Sequence, residues 1–96
     1  MIFRHALGEV LREERLSQRK TLRTISGTGR IALGYLSEVE RGDKEVSSEI
    51  LDGVATALGI PTYEIIMRAS LLMAGVAIPD TAETLLDEYG DLMVRS

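Results

Sequence analysis

Few side chains in this 96-residue sequence could do covalent chemistry. There is no Cys, so neither a thiolate nucleophile nor a thiolate metal site can be built, and a reducing cytoplasm is the compartment that fits. His5 has no second His or Cys to share a ligand with and reads as a surface residue near a helix start. Asp87, Glu88 and Asp91 cluster, but their spacing matches no calcium loop and reads as a solvated acidic helix end. Gly27-Thr28-Gly29 has no strand before it and no Lys at the required place, so it is not a phosphate loop. Met67 and Met73 sit in an apolar stretch and read as packing. No nucleophile, base and oxyanion site can be assembled, which leaves an enzyme the least supported function class, with no metal and no cofactor expected.

Charge is the remaining chemistry. The formal net charge of −4 looks wrong for a polyanion binder until it is divided along the chain. Residues 1–45 carry nine basic side chains against seven acidic, a balance of +2; residues 46–96 carry two against eight, a balance of −6. Within residues 15–30, Arg15, Arg19, Lys20, Arg23 and Arg30 occur with no acidic residue. Such asymmetry suggests an N-terminal part facing a polyanion and a remainder with another job. A merely solvated face is the alternative until a motif decides.

The elements that must position these charges are helical. Apolar residues recur at spacings of three and four, and no alternating apolar/polar run with β-branched residues persists. A first helix is predicted over about residues 3–16, with Phe3, Ala6, Leu7, Val10 and Leu11 on one face. Thr21 is a good N-cap for a short second helix buried through Leu22 and Ile25. A third spans about residues 31–41, with Ile31, Tyr35, Leu36 and Val39 inward and Gly42 just beyond it. Ser47 or Ser48 caps a fourth, buried through Leu51, Val54, Ala55 and Leu58, which Gly59 and Pro61 end. A fifth follows Thr62 and extends to Val76 or Ala77. A sixth follows Pro79, with Asp80 and Glu83 as a capping-box variant and Gly90 as its stop. The fold class is all-α, with five or six helices. At 96 residues the chain is within single-domain size, no apolar run is long enough to span a bilayer, and the opening Met-Ile-Phe-Arg-His lacks a secretory pattern.

Two short helices, residues 21–28 and 32–41, separated by about three residues make a helix-turn-helix layout. Residues 7–60 resemble the Cro/lambda-repressor-type (XRE) helix-turn-helix family, and most of all its actinobacterial Clp gene regulator branch. The resemblance rests on Thr21-Leu22-Arg23, on Leu33-Gly34-Tyr35-Leu36-Ser37-Glu38-Val39-Glu40-Arg41-Gly42, on Lys44-Glu45 and on Ser47-Ser48-Glu49. It implies a lambda-repressor-like DNA-binding domain over residues 1–61. It also implies a sequence-specific transcription regulator that binds promoter DNA as a homodimer in the cytoplasm, at the nucleoid, and controls Clp protease and chaperone genes, with RNA polymerase or another protein as a further partner.

On that resemblance the third helix enters the major groove. Leu33, Gly34, Ser37 and Glu38 are its positions not demanded by the core: Leu33 can touch a thymine methyl, Ser37 several base edges, and Glu38 can accept from cytosine N4. Gly34 costs about 1 kcal/mol of helix stability against Ala, which suggests close approach to DNA or, alternatively, to another helix. Arg19, Lys20, Thr21 and Arg23 at the start of the second helix, Arg30 in the turn, and Arg41 and Lys44 after the third helix are expected at phosphates. By family analogy Arg15 and Glu40 form a buried ion pair. The sequence departs from the family at Ser26 and Gly29, where Ala is usual, at Arg30, where Gly is frequent, and at Ala32, where Ser or Thr caps the third helix.

Residues 65–78 are apolar on nearly every face, so residues 62–96 are expected to form a C-terminal helical extension that dimerises through Ile65, Ile66, Leu72, Met73 and Val76. On this view a chain ending at Pro61 keeps helices one to four. Two competing readings are an antitoxin-like protein whose apolar helices bind a partner protein, and a helical scaffold whose motif no longer binds DNA.

Overall fold

The computed structural model describes residues 1–75; the expected sixth helix, Val76 and the cluster Asp87, Glu88 and Asp91 lie outside the described residues. The described chain forms five helices and no strand: α1 (Phe3–Ser17), α2 (Leu22–Gly29), α3 (Leu33–Glu40), α4 (Ser48–Leu58) and α5 (Thr62–Met73). Thr21 caps α2 by accepting from Thr24 N at 3.1 Å, and Ser47 caps α4 by accepting from Ile50 N at 3.2 Å. Two expected bounds are longer than the helices observed. Ile31 precedes α3 and packs half-buried on the core, and α5 stops at Met73, with Gly75 following at φ +79. Among the described residues no single helix is long and apolar enough to cross a membrane.

The core joins Ala6, Leu7, Val10 and Leu11 of α1 to Ile25 of α2, Leu36 and Val39 of α3, Leu51, Val54 and Leu58 of α4, and Ile65 and Ala69 of α5. Phe3, expected inward, stands exposed at the start of α1. α5 packs along α1, and Ile65 and Ala69 have no exposed surface at all. Ile65 is therefore a core residue and no candidate for a dimer surface. A near-continuous apolar run does not reveal by itself which of its sides the same chain covers. Ending the chain at Pro61 would therefore uncover the side of α1 on which α5 packs.

Small residues set the closest helix approaches. A Cβ on Gly8 would lie 2.6 Å from the carbonyl oxygens of both Val39 and Glu40, so α1 crosses the end of α3 at backbone contact. Gly29 meets Gly53 in the same way, a Cβ there lying 3.0 Å from the Gly53 oxygen. An Ala at position 29 would therefore have to spread α2 from α4.

Two charged links cross the bundle. Arg15 grips Glu40 with Nε and Nη2 at 2.7 and 3.0 Å and donates Nη1 to the Lys20 carbonyl at 2.9 Å. The two side chains are only 12% and 6% exposed, and the Glu40 hydrogen bond raises the arginine's pKa against the opposing effect of burial. On the far side, Arg68 of α5 bridges Glu14 of α1 at 2.6 Å and Glu64 of its own helix at 2.5 Å, all three buried or nearly so.

Candidate nucleic-acid interface

α3 is anchored by Leu36 and Val39, while Tyr35 leans on the core and donates its hydroxyl to the Glu45 carbonyl. Apart from Glu40, which is held by Arg15, the rest of its surface points away from the bundle. Leu33 and Gly34 are exposed, and Ser37 and Glu38 are partly so. A Cβ on Gly34 would meet nothing within 4 Å, so no other helix requires this glycine. The four positions expected at base edges thus share one open face.

The turn before α3 is built by residues that depart from the family pattern. Arg30 adopts φ 56, ψ 48, the left-handed conformation a glycine would take without strain. Ser26 holds it there: its carbonyl accepts from Ile31 N at 2.9 Å and its hydroxyl donates to the Ile31 carbonyl. Ala32 supplies no side-chain cap to α3. Arg19, at the end of α1, also sits at φ 56, so left-handed arginines bracket α2. The sequence offered no sign of the strain at Arg19, because the polar run Ser17-Gln18-Arg19-Lys20 fits many turn geometries.

The basic residues divide. Arg19, Arg23, Arg30 and Lys44 are exposed, and Thr21 lies exposed at the α2 N-terminus, where unpaired N–H groups favour an anion. Lys20 does not belong with them. It is half-buried and its Nζ donates to the Ala57 carbonyl at 3.0 Å, while Gln18 donates to the Leu58 carbonyl at 2.7 Å. Both serve the C-terminal carbonyls of α4, which attract cations and donors. Arg41 donates to Ser37 Oγ and to Asp43. Of the residues expected at a dimer surface, Ile66 and Met73 are exposed, 41% and 42%, and Leu72 packs half-buried on the core. Tyr63, 56% exposed, joins the exposed pair; its spacing from Ile66 and Met73 puts all three on one helix face.

No family model matches the chain. Transcriptional regulator ClgR of Mycobacterium tuberculosis is 48% identical to it over 73 residues, 76% of this chain and 65% of that protein, so the match spans slightly less than two thirds of the relative. An uncharacterized HTH-type transcriptional regulator of the same organism is 30% identical over 95 residues, covering 85% of this chain and 68% of the relative. A crystal structure of the clp gene regulator ClgR from Corynebacterium glutamicum superposes with a TM-score of 0.74 at 37% identity, covering 99% of this chain and 89% of that one. With this likeness extending over most of the sequence and the whole fold, the chain belongs to the XRE-type helix-turn-helix transcriptional regulators, in the ClgR branch.

Proposed function

We propose that the protein is a transcription regulator that binds double-stranded promoter DNA as a homodimer, with α3 of each copy in the major groove of a pseudo-palindromic site. One observation carries the reading: α3 spends Tyr35, Leu36, Val39 and Glu40 on the bundle and leaves Leu33, Gly34, Ser37 and Glu38 on an open face with unfilled space at the glycine. A groove-reading helix needs such a face, and a helix serving only the bundle does not. Arg19, Thr21, Arg23, Arg30 and Lys44 are the phosphate contacts in this reading, and Arg15–Glu40 fixes α3 against α1. Two copies meet through Tyr63, Ile66 and Met73 of α5. Clp protease and chaperone genes are the proposed targets, by likeness to the clp gene regulator of C. glutamicum.

Titration of duplex DNA with the full chain over a range of salt concentrations tests this. Several cations on phosphates release counterions, so log K should fall steeply and linearly with log salt. A flat salt response, or no binding at low salt, overturns the proposal.

A further inference from the structure

Arg41 follows α3 directly and lies one turn beyond Ser37, so the two side chains share a face. Its Nη1 donates to Ser37 Oγ at 2.7 Å, and its Nε donates to Asp43 Oδ2 at 3.1 Å. The guanidinium is thus tied to the open face of α3 at one corner and to the following loop at another, although it is largely exposed.

This arrangement fixes the hydrogen-bonding character of Ser37. A hydroxyl carries one donor and two acceptor lone pairs, whereas a guanidinium can only donate. Ser37 Oγ therefore accepts from Arg41 and keeps its own proton for an outside acceptor. Arg41 keeps the N–H groups that neither Ser37 nor Asp43 uses. Side by side, the pair presents the Ser37 hydroxyl proton and the free guanidinium N–H groups as adjacent donors, with one Ser37 lone pair as the only remaining acceptor capacity of the two side chains. In the major groove guanine alone shows two acceptors, N7 and O6, with no donor; adenine sets an amino group beside N7, cytosine shows an amino group, and thymine sets a methyl beside O4. We propose that Ser37 and Arg41 act as one unit that reads a guanine in each half-site, with Asp43 as the positioning residue for the guanidinium. The inference rests on the DNA-binding reading above and gives Arg41 a base-reading role in place of the phosphate contact expected from sequence.

The test begins by selecting duplexes from a random-sequence library with the full chain. Each guanine of a selected duplex is then replaced in turn by 7-deazaguanine, which lacks the N7 acceptor, or by inosine, which keeps N7 and O6. At one guanine per half-site, 7-deazaguanine should weaken wild-type binding by about 10-fold while inosine leaves it unchanged. At that same guanine the 7-deaza penalty should shrink to about 2-fold or less in both Ser37→Ala and Arg41→Lys, the second of which retains the charge. Asp43→Asn should reduce the penalty without abolishing it. Unchanged thermal melting of each variant shows that the fold is intact. If Ser37→Ala and Arg41→Lys weaken all duplexes by one common factor, or act at different base pairs, the unit does not exist. A wild-type chain that enriches no sequence but binds duplexes with a steep salt slope also overturns the inference and leaves DNA binding standing; one that binds no duplex overturns both.

Discussion

A side chain at φ 56 costs on the order of 1 kcal/mol that a glycine would not, and among the described residues that cost is accepted at Arg19 and at Arg30. Strain of this kind persists where the side chain is needed. Arg30→Gly should therefore leave thermal stability unchanged or raise it slightly, while the slope of log K against log salt falls by about one unit per protomer. Gly34 poses the opposite trade, since Ala would suit the helix by about 1 kcal/mol and no protein atom occupies the space. Gly34→Ala should raise the melting temperature and weaken binding to the selected duplex; tighter binding would show that the gap meets no DNA. At this scale the sequence made Gly34 legible as an exception to helix propensity. It could not distinguish Lys20 from Arg19, because only the fold brings the α4 carbonyls to the lysine.

Among the elements, α1 to α4 were readable from spacing and caps, as Thr21, Ser47 and the stripes on α1 and α4 show. The side of α5 that is covered was not, since Ile65 and Ile66 are identical residues with opposite fates. The Glu14–Arg68–Glu64 cluster was also hidden, because its long-range link spans 54 positions and local spacing carries no record of it. That cluster makes the α1–α5 contact sensitive to acid. Burial pushes the Glu14 carboxyl upward, but hydrogen bonds from Gln18 and Arg68, the charge of Arg68 and a bond from Ser17 outweigh it, so its pKa lies below the ordinary 4.5. A depressed carboxylate contributes stability above its unfolded pKa and loses it as pH falls through the folded one. Urea unfolding should show a plateau above about pH 5.5 and a decline below about 4.5. Glu14→Gln should be less stable on the plateau and show a shallower acid limb; an unaltered limb would mean the carboxylate contributes nothing.

For the whole molecule, the exposed side of α5 is the one that can be changed without opening the core. Ile66→Lys combined with Met73→Lys should fold, sediment as a monomer and bind the full site about 100-fold more weakly, since the second half-site contact is no longer linked to the first. A dimeric double variant would move the interface elsewhere and strengthen the antitoxin-like reading of α5. Glu14 and Arg15 are neighbours in the chain, yet one holds α5 and the other holds α3. A single turn of α1 is thus clamped both to α5, the helix proposed to meet a second copy, and to α3, the helix proposed to enter the groove, and Gly8 keeps the α1–α3 crossing tight. In the proposed dimer such a frame works like a caliper: the reading heads would not stretch apart independently of the α5 contact that joins them. One extra base pair at the centre of a site would shift the halves by about 3.4 Å and turn them by roughly 34°, a mismatch that a flexible tether would absorb and this frame would refuse.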